Sequence, residues 1–185
     1  MRSTSNGRLA SRGFTLMELM FTIAVAGILL AVAVPSFQDM IANNRLVSQS
    51  TEIVAAMNFA RSEAISKNAT VRVCRSNLEA STSCAGSAGE WDFFIVRRDT
   101  APVEVLRRGV LGDYSGTVSF ESDLTADQVT FTPDGLAHNG TSSGPLVSDN
   151  ELVVCSTKAT GENIRVITIG AGSRISTTRD EGDCS

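Results

Sequence analysis

The sequence predicts an α+β fold: a long N-terminal helix packed on a C-terminal antiparallel β-sheet domain. Three patterns carry that reading. Residues 14–34 form an almost unbroken apolar run, residues 37–64 continue with apolar positions at steps of three and four, and from Thr70 onward short β-branched runs alternate with a period of two. A helix followed only by strands buries its apolar stripe by covering one face of a twisted sheet or a small sandwich.

The chain opens with a basic segment, 1–13, that holds Arg2, Arg8 and Arg12 and no acid. The first acid after Glu18 is Asp39, so the excess of positive charge places Met1 to Gly13 on the cytoplasmic side of a membrane. Phe14 to Val34 is 21 residues, which as a helix spans roughly the 30 Å of a bilayer core. No second apolar stretch of that length follows, so the expected topology is a single inner-membrane anchor with the remainder on the far, periplasmic side.

Glu18 interrupts the apolar run. An ionised carboxylate in hydrocarbon costs several kcal/mol or more, so an intramembrane acid marks a function and requires a partner. Cleavage between Gly13 and Phe14 would create an α-amino group four residues from Glu18, at the same membrane depth on an adjacent copy of the helix. A competing reading is an ordinary secretory signal peptide ending in Ala31-Val32-Ala33, which would release a soluble protein. Against it, a charge inside the apolar region of such a signal is disfavoured, and the run exceeds the usual length of that region.

The next segment, 35–67, is the amphipathic half of the same helix: Phe37, Met40, Ile41, Leu46, Val47, Ile53, Val54, Met57, Ala60 and Ala64 form its stripe. Pro35 removes one backbone hydrogen bond and is expected to bend or loosen the helix near the membrane surface. The helix should end near Lys67 to Asn68, where β-branched residues take over. The domain 68–185 then reads as strands at Thr70–Cys74, Trp91–Arg97, Val103–Arg107, Thr117–Phe120, Val129–Thr132, Leu152–Cys155, Arg165–Ile169 and Arg174–Thr177. Turn signals such as Pro133-Asp134-Gly135 and Ala171-Gly172 separate them, as do two long polar loops, Ser76–Gly89 and His138–Asp149.

The chain has 185 residues, and without leader and anchor about 150 remain, a common size for one globular domain. Net charge is −4, and loss of the three leader arginines takes it to −7, a balance that disfavours broad binding to nucleic acid or anionic lipid. The four cysteines, Cys74, Cys84, Cys155 and Cys184, all lie in the exported part, where an oxidising compartment pairs them. Three pairings are open to four cysteines. The two local pairs are favoured because each closes a polar segment without apolar periodicity, worth roughly 2–3 kcal/mol for a ring of about ten residues. A zinc site is the alternative, but the spacings lack a C-x-x-C pair and the single histidine, His138, has no companion. No metal or other cofactor is expected.

The leader ending in Gly13, then Phe14-Thr15-Leu16, Glu18 at the fifth position of the cut chain and Pro35 at the twenty-second, resembles the class III leader of type IV prepilins and type II secretion pseudopilins. The resemblance implies cleavage after Gly13 by a prepilin peptidase, N-methylation of Phe14, and a Glu18 that neutralises the terminal amine of a neighbouring subunit. Asn43-Asn44-Arg45, Ala60-Arg61-Ser62-Glu63-Ala64, Val71-Arg72-Val73-Cys74-Arg75-Ser76, Trp91 and Phe131-Thr132-Pro133-Asp134-Gly135 look like the type II secretion protein H and FimT/FimU minor-pilin family. Each of these also has a plain structural reading: Ala60, Ala64 and Phe131 as core, Arg61 and Glu63 as a solvated helix face, Pro133-Asp134-Gly135 as turn chemistry. The resemblance implies a low-abundance subunit near a filament tip that primes or caps a type IV pilus or a secretion pseudopilus. Its implied partners are other major and minor pilins or pseudopilins, the prepilin peptidase and the inner-membrane assembly platform.

A second class of function is DNA capture, since some FimT-like members bind DNA through a Gly-Arg-x-Arg motif near the C-terminus. Gly172-Ser173-Arg174-Ile175-Ser176 has one arginine where that motif has two, and Arg179 is followed by Asp180, Glu181 and Asp183. Arg165, Arg174 and Arg179 are the candidate DNA contacts, on adjacent strands, against a reading as solvated strand charges. Catalysis is not expected: a Ser-His-Asp or Cys-His site would need His138, no serine lies in a nucleophile-elbow sequence, and no phosphate-binding glycine loop is present. Asp180 and Glu181 read as part of a soluble tail.

Overall fold

The computed structural model describes residues 14–112, 117–141 and 144–184, so the expected leader and its Gly13 lie outside the described residues. The chain divides into two compact units, Met1–Phe37 and Gln38–Ser185. The helix, α1, runs over Leu16–Lys67 without interruption at Pro35. The missing amide of Pro35 leaves the carbonyl four residues earlier, that of Ala31, without its helical donor.

In the first unit the helix exposes nearly every apolar side chain it carries, with Leu16 76%, Met17 79% and Phe21 71% accessible. In the second unit the pattern reverses along one face. Ala42, Leu46, Ser50, Ile53, Ala56, Met57, Ala60 and Ala64 are buried, at the three-and-four spacing of one helix stripe. Asn68 closes the helix with a φ of 49° and Ala69 N–H donates to the Ala64 carbonyl at 3.1 Å, a left-handed exit suited to asparagine.

Among the described residues nine strands follow: β1 Val71–Ser76, β2 Phe93–Arg98, β3 Glu104–Val110, β4 Val118–Ser122, β5 Gln128–Phe131, β6 Ala137–Asn139, β7 Asn150–Ser156, β8 Ile164–Gly170 and β9 Arg174–Asp180. They form two antiparallel sheets, one ordered β3-β2-β1-β5-β6 and the other β4-β7-β8-β9. Helix residues from Leu46 to Ala64 join Val71, Phe94, Val96, Val129 and Phe131 of the first sheet and Phe120, Leu152, Val154, Ile167 and Ile169 of the second in a single buried cluster. Both sheets therefore share one core with the helix. Burial of each such side chain contributes about 1.5–3 kcal/mol.

The polar loop expected over His138–Asp149 begins instead as strand β6, paired with β5 through Thr130↔His138 and Phe131↔Ala137. The reason is the preceding turn. Asp134 Oδ1 accepts from Leu136 N–H at 3.1 Å and from Thr132 Oγ1–H, and Gly135 takes a φ of +79°. Those two bonds hold the Asp134 carboxyl below the usual carboxylate range, with the Thr132 hydroxyl the larger cause. A Cβ on Gly135 would also meet Ile65 Cδ1 at 2.9 Å, so the turn needs glycine for its conformation and for its approach to the helix.

Two smaller expectations also change. Arg61 is only partly exposed and donates from Nη1 to the Ser173 carbonyl at 3.1 Å, so it ties the helix to the β8–β9 turn and is not simply a solvated side chain. Asp180 is the last residue of β9, paired with Ile164, and so belongs to the sheet and not to a tail.

Candidate functional site

The start of α1 is held by a side-chain N-cap from Thr15. Thr15 precedes the first helical residue, its Oγ1 accepts the Glu18 N–H at 3.2 Å, and Glu18 stands at the third helical position. An acid in the first turn is also favoured by the helix dipole. The sequence Thr15-Leu16-Met17-Glu18 thus fixes where the helix begins and which way Glu18 leaves it.

Around Glu18 the surface is apolar: Leu16, Met17, Leu19, Met20 and Phe21 are each more than half exposed. The Glu18 carboxylate has no hydrogen-bond or ion-pair partner among the described residues. The helix is long and apolar enough to cross a membrane. A lone carboxylate on such a surface is stable in water and costly in hydrocarbon unless a cation meets it. Phe14 lies just before the helix, largely exposed, four residues from Glu18.

The globular unit is fastened by Cys74–Cys84 and Cys155–Cys184, the two local pairs. The first disulfide loop is held further by Arg75, whose Nε donates to Asp127 Oδ2 at 3.0 Å and whose Nη2 donates to the Ser87 carbonyl at 2.6 Å. Asp127 is almost fully buried and also accepts from Gly89 N–H at 2.7 Å and Ser122 Oγ–H at 2.5 Å. That buried ion pair was not legible as such in the sequence, although Arg75 lies in a stretch that carries the family resemblance. At the other disulfide, Asn163 donates from Nδ2 to the Gly182 carbonyl at 2.8 Å and accepts from Gly182 N–H at 3.1 Å, which fixes the C-terminal segment.

His138 sits buried on β6 with Nε2 3.2 Å from Thr132 Oγ1. No group of three or more His, Cys, Asp or Glu side chains suited to a metal ion occurs among the described residues.

The three arginines considered for DNA do not form one patch. Arg165 and Arg179 are cross-strand partners on β8 and β9, whereas Arg174 pairs with Gly170 at the far end of the hairpin. Arg174 and Arg179 are five positions apart on β9, which puts them on opposite faces of the strand and about 17 Å apart. Arg165 is also buried, 6% exposed, with Nη1 donating to the Glu162 and Ile164 carbonyls at 2.7 and 2.8 Å. Burial, then the neighbouring Arg179 charge, lowers its pKa from the ordinary arginine value.

Comparison with known proteins bears on both ends of this arrangement. Residues 49–172 match the family model for the type II transport protein GspH, and residues 8–34 match the prokaryotic N-terminal methylation motif. The chain is similar to the type IV major alpha-pilin of Moraxella bovis, 48% identical over 46 residues that cover 25% of this chain and 29% of that one. It is also similar to fimbrial protein Q of the same organism, 34% identical over 97 residues, 43% of this chain and 62% of the relative. The chain thus spans less than two thirds of these relatives. Among solved structures, the type IV minor pilin FimU of Pseudomonas aeruginosa shares the fold with a TM-score of 0.52 at 20% identity, over 74% of this chain and 90% of that one.

Proposed function

Because the chain belongs to the type II transport protein GspH family, we propose that it is a minor pilin or pseudopilin that primes or caps an inner-membrane-anchored filament. The observation that carries this is the unpartnered Glu18 carboxylate on the exposed apolar start of α1. The prepilin peptidase cuts after Gly13 at the cytoplasmic face and Phe14 becomes an N-methylated terminus. The apolar half of the helix anchors the subunit in the inner membrane with its β-domain in the periplasm, and Pro35 is where the helix loosens.

Assembly follows from charge and packing, with no covalent step after processing. The Glu18 carboxylate meets the terminal amine of a neighbouring subunit, which neutralises two charges that would each be costly alone in an apolar filament core. Apolar helices pack side by side, that ion pair sets their axial register, and the β-domains face outward and choose partners. The assembly platform supplies the subunit to the growing filament.

The test is Glu18→Gln in the native host. The variant should be processed and membrane-inserted normally yet fall at least tenfold in the sheared filament fraction, about 1.4 kcal/mol or more of lost assembly free energy. Undiminished incorporation would remove the role given to Glu18. Co-purification with pilus minor subunits or with secretion-channel components then tells the two filament classes apart.

A further inference from the structure

A groove of about 300 Å³ runs between α1, at exposed Val47 and Thr51 and half-buried Val54, and the β8–β9 face at Arg165 and Arg179. Its helix wall continues a stripe in which Met40, Val47 and Val54 recur every seven residues, with Met40 57% and Val47 45% exposed. A seven-residue repeat on one helix face is the pattern that receives another helix.

The opposite wall carries an electrostatic imbalance. Arg165 is 6% exposed and bonds only to the backbone carbonyls of Glu162 and Ile164; no carboxylate pairs with it among the described residues. Buried arginine is ordinarily paired with a carboxylate, because carbonyl dipoles alone offset little of the desolvation cost. Arg179 stands directly across from it, and like charges opposite each other in a sheet are destabilising. The nearby acid Glu162 is engaged by Arg179 at 3.2 Å in an exposed pair. The groove wall therefore holds an excess of one positive charge, with Arg165 buried and Arg179 exposed, facing the helix stripe.

We infer that this groove receives a helix of a neighbouring pilin-family subunit and that an aspartate or glutamate on that helix pairs with Arg165 and Arg179. The guanidinium fork donates two N–H groups to the carboxylate, while the seven-residue stripe packs the partner's apolar side chains. Docking adds a lateral contact of defined chemistry between the β-domain of this subunit and its neighbour. The inference rests on the filament reading above.

The experiment uses the full chain in its native host, with Thr51, exposed on the groove wall, replaced by a photo-crosslinking phenylalanine, and mass spectrometry of the sheared filament fraction. The expected adduct is a peptide from another pilin-family subunit with an Asp or Glu within one helical turn of the linked residue. Arg179→Glu should reduce the adduct about tenfold without removing the chain from the membrane, and reversing the partner's acid to Lys should restore it. Arg165→Lys, which keeps the charge and loses the fork, should give an intermediate loss.

An adduct to a peptide with no acid in reach, one indifferent to Arg179→Glu, or one to nucleic acid would overturn the assignment. So would the chain's presence in filaments with no groove adduct. Absence of the chain from the filament fraction would instead overturn the filament reading, and this one with it.

Discussion

The two units of this chain use apolar residues in opposite ways. In the segment from Phe14 to Phe37, Phe14, Leu16, Met17, Phe21, Ile28, Leu29 and Phe37 are all exposed, whereas from Leu46 onward Ile53, Met57, Trp91, Phe94, Phe120 and Phe131 are fully or almost fully buried. The second unit satisfies its own sequence. The first does not, since an apolar surface of that extent has no stable fate in water and requires lipid or other helices. One unit is thus specified by intramolecular packing and the other by surroundings that a single chain does not contain.

The largest effect expected from this contrast is on solubility. Residues 38–185 exported to the periplasm without the first unit should remain folded and soluble, while the full chain should stay in the membrane pellet until detergent is added; sedimentation checks both. A soluble full chain would erase the distinction between the units.

Within the folded unit, Phe94→Ala should cost about 3–5 kcal/mol by denaturant titration, since the ring is fully buried and also covers Gly109, where a Cβ would lie 2.0 Å from it. Asp127→Ala should cost a similar 3–5 kcal/mol by leaving Arg75 buried without its anion. If either variant unfolds no more easily than the parent, the core described above is not what holds the domain.

The disulfides come next. Their sequence separations are 10 for Cys74–Cys84 and 29 for Cys155–Cys184, for which chain entropy gives about 2.7 and about 3.6 kcal/mol. Paired Cys→Ser variants should follow that order in thermal unfolding. The smallest effect belongs to Arg179→Ala, whose pair with Glu162 is about two-thirds exposed on one side and should change domain stability by less than about 1 kcal/mol.

Legibility in the sequence followed the same division. The helix end at Lys67 and eight of the nine strands were readable because each has a sustained period or a β-branched run. The ninth, β6, was not: Ala137-His138-Asn139 is too short to show alternation, and it pairs only because the turn before it hands it to β5. Likewise the separation of Arg174 from Arg165 and Arg179 is a matter of strand parity and register, which adjacency in sequence conceals. The partnering of Arg75 with Asp127 joins residues 52 apart, a distance over which composition and spacing carry no signal. Glu18 stood out for the opposite reason, being the single charge in an apolar segment of membrane length.

The central claim is that the first unit is completed by assembly after processing, and the N-terminal peptide of the protein extracted from the native membrane tests it most directly. Mass spectrometry should find a chain that begins with N-methylated Phe14. A chain that begins at Val34 would make this a secreted soluble domain and contradict the assembly role assigned to Glu18.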